Sequence, residues 1–319
     1  MARWHHPAVF PVRTRQPQPA RRRRPGDRPA KLAVASGVPV RVLPARADGL
    51  PEIVAHRGAS LDAPEHTLAA YEQAIADGAD ALECDVRLTA DGHLVCVHDR
   101  RVHRVSDGRG PVSTQTLDEL RRLAFTARRA GSAGPVVLDE ERHRVLTLDG
   151  LLSLIVDAPR PVRLAVETKH PTRYAGYVEQ AVVHALARYG LARPPRDGSS
   201  AVRLMSFSEV ALRRLRLLAP GIPRVFLMLR VPIRFRAGEL PYGARIAGPS
   251  IEVIRKHPHF VQRVQAQGNA VHVWTVDTPA DLALCVELGV DAVITNRPRQ
   301  LREELDRRRA PSANQGPNE

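Results

Sequence analysis

Short apolar runs alternate with segments of helical spacing along most of the chain, and polar turns divide them. Ile53–Arg57 is the first run. Thr67–Asp77 follows with Leu68, Tyr71 and Ile75 at helical spacing, and Gly78 closes it. In the second run, Ala81–Val86, alternation puts Leu82, Cys84 and Val86 on one strand face and Glu83, Asp85 and Arg87 on the other. Asp91-Gly92 suits the centre of a two-residue hairpin turn, which would return Leu94–His98 alongside and set Asp85 directly opposite His98. Arg100–Arg163 is less regular, with helical stretches at Thr116–Leu123 and Thr147–Val156 on either side of the Gly- and Ala-rich Ala130–Pro135.

Strand and helix patterns then resume. Arg163–Glu167, Val202–Phe207, Arg224–Leu229, a weak Arg245–Ala247, Ala270–Thr275 and Ala292–Thr295 read as strands. Tyr174–Tyr189, Glu209–Leu218, Ile254–Gln267 and Pro279–Leu288 read as the helices between them. With Leu94–His98 taken only as the hairpin's return arm, the parallel strands number eight over about 250 residues, which predicts an α/β TIM (β/α)8 barrel. Arg100–Arg163 becomes a small insertion over the barrel mouth, with Leu148–Val156 its first crossover helix. Arg230–Gly243, containing Pro232 and Pro241, is expected to form a loop and short helix in place of a regular crossover. A doubly wound open sheet alternates in the same way but would not readily bring the ends of strands one, two, three and seven to one point.

Composition changes the picture mainly at the ends. The net charge is +14, and residues 1–50 hold eleven Arg or Lys and two Asp, a net +9. That Arg- and Pro-rich segment lacks apolar periodicity and is expected to be disordered. It suits either a nonfunctional extension or an arm for nucleic acid or an acidic membrane surface; no specific nucleic-acid partner is expected. The chain thus divides into a basic extension (1–50), the barrel (51–302) and a polar disordered tail (303–319), evident from Arg307. Leu32–Leu43, interrupted by Gly37 and Pro39, is too weakly hydrophobic for a secretory signal, and no run approaches a membrane span. Cys84, Cys96 and Cys285 lack Cys-x-x-Cys spacing and read as buried thiols in a reducing, cytoplasmic setting.

The chemistry gathers between residues 53 and 98. Glu83 and Asp85 share a strand face whose opposite side is apolar, so the carboxylates must meet solvent in a cleft, or a cation. Glu167 and Lys169 project from one face of their own strand. Three converging carboxylates would repel one another unless a cation joined them; hard oxygen donors suit Mg²⁺ or Ca²⁺ and argue against zinc or copper. A metal-free network of carboxylates with Arg and Lys is the competing reading. His56 and His98, flanking this cluster, are the acid–base candidates. Arg57 and Lys169 could neutralise an anionic substrate, and Arg57 could grip two of its oxygens. Trp274 shares a face with His272 and could stack on a ligand or plug the barrel interior. Asn296, just past the last strand, is a weaker candidate. His103, His143, His170, His257 and His259 read as surface or loop residues.

These residues fall into an ordered set of motifs: His56-Arg57-Gly58-Ala59-Ser60, Pro64-Glu65-x-Thr67-Leu68, Glu83-x-Asp85, Thr89-x-Asp91-Gly92, His98-Asp99, Glu167-x-Lys169, Ser206-Phe207, Val273-Trp274-Thr275-Val276-Asp277 and Thr295-Asn296-x-x-Pro298. Together they resemble the glycerophosphodiester phosphodiesterase family over roughly residues 52–300. The resemblance implies a barrel hydrolase that uses a divalent metal at Glu83, Asp85 and Glu167. It would cleave small-molecule glycerophosphodiesters to an alcohol and glycerol 3-phosphate, with His56 and His98 as the proton carriers. It makes Glu65 either a holder of Arg57 or a helper at the metal site, and Trp274 a platform for glycerol. The sequence departs at His66, where the family usually has Asn; His66 could simply cap the helix that follows. A lysophospholipase D-like activity is the alternative within the fold, with Val231, Ile233 and Phe235 as an apolar groove. A non-catalytic barrel that binds through its basic arm is the alternative outside it.

Overall fold

In a computed structural model, residues 49–126, 141–195 and 199–309 are described. The expectations for residues 1–48, for Ala130–Pro135 and for the end beyond Arg309 lie outside them. β1 (Glu52–His56), β2 (Ala81–Leu88), β4 (Arg163–Thr168), β5 (Val202–Ser206), β6 (Arg224–Met228), β7 (Ile246–Pro249), β8 (Ala270–Trp274) and β9 (Ala292–Thr295) pair in parallel. β1 pairs with both β2 and β9, so the sheet closes. β3 (Leu94–Cys96) is antiparallel to β2 and stays outside the cylinder. The fold is the eight-stranded TIM barrel that the alternation predicts.

Alternation explains why these sequences sit in a cylinder. Leu82, Cys84, Val86, Leu164 and Val166 pack outward under the helices, while Val54, Ala81, Ala165, Met205, Val225 and Ala292 fill the interior. α1 (Leu68–Ala76) begins at Thr67, whose hydroxyl accepts from the Ala70 amide. Thr67, not His66, is therefore the cap. α2 (Leu117–Arg121) carries a full capping box from Thr116 and Glu119, and α3 (Leu148–Val156) is capped by Thr147. Val95, Val97, Val102, Leu117, Leu120 and Phe125 form a small core of the insertion, separate from the barrel's own. α4 (Tyr177–Arg188) and α5 (Glu209–Leu218) follow the prediction closely. Between β6 and β7 two 3-10 turns, Ile233–Phe235 and Pro241–Gly243, replace a crossover helix.

Three expectations need correction. The hairpin register differs by one residue: Val86 faces Cys96 and Leu88 faces Leu94, which puts the Val97 amide, not His98, against the Asp85 carbonyl. The turn is longer than two residues because Thr89 stays in the ladder, its amide bonding to the His93 carbonyl, while its hydroxyl takes the His93 amide. Gly92 supplies the left-handed residue at φ 86°. The expected helix 254–267 is two, α6 (Ile251–Lys256) and α7 (His259–Ala266), divided at Pro258, which has no amide to donate. α8 (Pro279–Glu287) precedes β9. Lastly, α9 (Pro298–Arg309) carries ordered structure past residue 302. Leu301 and Leu305 are buried against the barrel, and Arg302 bonds to the Gly78 carbonyl and Asp80.

The floor of the barrel is a buried ionic layer. Glu52 accepts from both Arg203 nitrogens at 2.7 and 3.1 Å and from Arg163 at 3.0 Å. Removing the carboxylate would strand a guanidinium that is 1% exposed. Glu52→Ala is therefore expected to cost about 3–5 kcal/mol, read as a lower midpoint in urea unfolding. Among the described residues no helix is long and apolar enough to cross a membrane.

Candidate active site

The carboxyl ends of β1, β2, β4 and β8 meet around a cavity of about 420 Å³ lined by His56, Arg57, Glu83, His98, Glu167, Lys169 and Trp274, among others. β1 ends in a sharp turn. Arg57 and Gly58 both have positive φ, 61° and 83°, and a Cβ on Gly58 would come within 2.6 Å of the Ala70 backbone. Only glycine allows that approach. The turn sends Arg57 back toward Glu83, whose carboxylate takes the Arg57 amide at 3.1 Å.

Glu83, Asp85 and Glu167 each offer an oxygen, all within 4.8 Å of one another. Register explains the convergence, because Asp85 is directly beside Glu167 and Glu83 lies two residues earlier on the same face. Burial, with Asp85 adding repulsion, holds the Glu83 carboxyl well above its usual range, and the same causes push Glu167 up to about 8. Burial also opposes ionisation of Asp85, yet Lys169, Arg57 and the His66 hydrogen bond keep it well below the carboxylate range. Lys169 Nζ lies 2.7 Å from Glu167 and 3.3 Å from Asp85. An all-oxygen set, buried and short of positive charge, fits a hard divalent cation.

The two histidines are each held from Nδ1. Asn296 Nδ2 donates to Asp277 at 2.6 Å, which turns its Oδ1 toward His56 Nδ1 at 2.8 Å; Ser60 donates to the same oxygen at 2.8 Å. His56 Nδ1 therefore carries the hydrogen and Nε2 the lone pair. His98 Nδ1 donates to Asp99 at 2.7 Å. Burial lowers His98 to about 4 against the pull of Asp85, with Arg57 and Lys169 acting in the same direction as burial. Asp85 does draw this imidazole upward, but burial outweighs it.

Glu65 holds Arg57 at 3.0 Å and accepts two hydrogen bonds from Arg104, at 2.6 and 3.0 Å. Arg104 Nε also reaches Asp99 at 2.5 Å, so one insertion residue braces both the Arg57 and the His98 supports. Arg57 Nε sits 3.1 Å from Asp85 as an ion pair. His66 is buried, with Nε2 at 2.9 Å from Asp85 and Nδ1 at 2.8 Å from the Tyr71 hydroxyl, and burial lowers its pKa. The sequence reading passed over Arg104, Asp277 and the contact from His66 to Asp85. It also underrated Asn296. Trp274 lines the cavity, donates to the Gly248 carbonyl at 2.7 Å and meets Phe207 edge-on; His272 is buried below it. His143 is buried and His170 pairs with Glu179 at 2.7 Å, away from these groups. Asn296→Ala should release His56 and lower kcat by about 10–100-fold with little change in KM, measured by steady-state kinetics.

The sequence profile described as "Glycerophosphoryl diester phosphodiesterase family" matches residues 56–300. With the closed barrel, this defines a phosphoric diester hydrolase of the TIM-barrel class. A Mycobacterium tuberculosis protein named "Probable glycerophosphodiester phosphodiesterase 1" is 46% identical over 267 residues, covering 82% of this chain and 95% of that protein. The crystal structure of a glycerophosphodiester phosphodiesterase from Agrobacterium tumefaciens is 26% identical with a TM-score of 0.62, over 78% of this chain and 98% of that one. An Oleispira antarctica phosphodiesterase in complex with the product sn-glycerol-3-phosphate shares the fold, at 23% identity and a TM-score of 0.66, over 81% of this chain and 98% of that one. The chain belongs to the glycerophosphoryl diester phosphodiesterase family.

Proposed function

We propose that the protein hydrolyses glycerophosphodiesters to an alcohol and sn-glycerol 3-phosphate, with His56 and His98 as the two proton carriers. The observation that carries this reading is the meeting, in one cavity, of three carboxylates, two imidazoles held at Nδ1 and two cations. Glu83, Asp85 and Glu167 would hold Mg²⁺ or Ca²⁺. A bound divalent cation supplies charge neutralisation to the phosphodiester and its developing negative charge. Arg57 and Lys169 add to that neutralisation, and Glu65 with Arg104 keeps Arg57 aimed at the cavity. Each imidazole presents Nε2, so one removes a proton from the attacking water and the other, once protonated, delivers one to the leaving oxygen. The negative diester raises the proton affinity of that second imidazole when it binds. Trp274 and Phe207 supply an apolar wall for the glycerol carbons.

The three described cysteines, free and buried, support action in a reducing cytoplasmic compartment. A lysophospholipase D-like activity draws on the exposed Phe207 and Leu229 at the cavity rim; of the expected groove, Phe235 is packed into the core, whereas Val231 is half-buried and Ile233 exposed. A substrate panel with and without EDTA tests the proposal: soluble glycerophosphodiesters should turn over, and single-chain lipid diesters should be slower. Absence of turnover on every soluble diester would refute it.

A further inference from the structure

A second concavity of about 520 Å³ opens beside the candidate active site, and Leu229 lines both. Its walls carry Arg230, Arg236, Lys256 and Arg263, against a single carboxylate, Glu252. None of the four cations makes an ion pair with a described residue. Their neighbours do: Arg234 pairs with Glu209 and Arg255 with Asp281. The contrast matters because isolated surface cations are ordinary, whereas four left unpaired around one concavity focus a positive potential within it.

The walls are also fixed in advance. Gly238 lies so close to α7 that a Cβ there would meet the Arg263 carbonyl oxygen at 2.2 Å. Arg263 donates to the Arg236 carbonyl at 3.3 Å and Asn269 to the Gly238 carbonyl at 3.4 Å, which ties the β6–β7 connection to the helix. A preformed site loses less entropy when a ligand enters.

Resting on the proposed hydrolysis, we infer that this groove is a subsite for a negatively charged group on the leaving alcohol, a second phosphate in particular. The phosphodiester sits over the carboxylate cluster, and the alcohol passes Leu229 into the cationic groove. Diesters with an anionic alcohol would then be preferred over those with a quaternary ammonium alcohol, for which only Glu252 offers an attractive charge.

The test compares two soluble substrates, the glycerophosphodiesters of ethylene glycol and of ethylene glycol monophosphate. The phosphorylated one should have at least about tenfold higher kcat/KM. A double charge reversal, Arg236→Glu with Lys256→Glu, should abolish that preference while hydrolysis of the diester with the uncharged alcohol stays within twofold. Inorganic phosphate tests the other source of the same chemistry: at concentrations that leave turnover of the ethylene glycol diester intact, it should suppress the preference by competing for the groove. Equal turnover of the two diesters by the wild-type protein, or an equal loss of both in the double variant, would overturn the subsite and leave the hydrolysis reading standing. Hydrolysis of neither would overturn both.

Discussion

His56→Ala and His98→Ala are each expected to lower turnover by at least about a hundredfold, while the fold persists. Neither side chain supports the barrel. His56 bonds to Asn296 and His98 to Asp99, both at the mouth, and both rings line the cavity. Circular dichroism and the thermal midpoint should therefore stay close to wild type. The two variants should part company on a substrate with an activated leaving group. A p-nitrophenolate leaves without a proton, so it should restore the variant that lacks the acid and not the one that lacks the base. The rescued position identifies the proton donor. Equal response of the two variants would show that separate roles are the wrong description.

Exhaustive chelation is expected to abolish hydrolysis, and Mg²⁺ or Ca²⁺ to restore it. A reading independent of activity comes from stability. At a hundredfold excess over Kd a cation adds about 2.7 kcal/mol, which raises the melting temperature on the order of 5 °C for a domain of this size. The effect should depend on pH with a definite sign. Burial and Asp85 raise Glu167 to about 8, so between its unfolded value of 4.5 and 8 the metal-free folded protein retains a proton that the unfolded chain has released. Its stability from this group falls as pH rises through that window. A cation takes the place of the proton, so its stabilising effect should grow from pH 5 to pH 8. Glu167→Gln should flatten that trend. Full activity in metal-free assay would sink the assignment.

Much of this was legible in the sequence because strands announce which residues share a face. Glu83 with Asp85, and Glu167 with Lys169, are two apart in sequence, which puts each pair on one face, and the apolar residues alternating with them mark that face as the interior one. The hairpin register was not legible, since Thr89-x-Asp91-Gly92 permits either a two- or a three-residue loop and only the Thr89–His93 bonds decide it. Pro258 could have signalled the break between α6 and α7, but the apolar spacing on both sides masked it. α9 was hidden for the opposite reason: Leu301 and Leu305 are its buried leucines amid a run of charges. Arg104 went unassigned because Glu65, which it grips, lies 39 positions away, and Asp277, though within a motif, because its partner Asn296 follows a different strand. His66 was judged by its position before a helix, whereas its ring reaches Asp85 on the neighbouring strand.

The bond between His56 and Asn296 spans 240 positions and crosses the seam where β1 meets β9. The first of the barrel's described strands to leave the ribosome thus carries an imidazole whose anchor is among the last parts of the domain to emerge. A nascent or truncated chain ending before residue 296 has all three carboxylates and both histidines, yet lacks the Asn296 oxygen that accepts from His56. Competence for hydrolysis therefore arrives with closure of the cylinder, so that in a time course of synthesis or refolding the onset of turnover marks the moment the barrel is sealed.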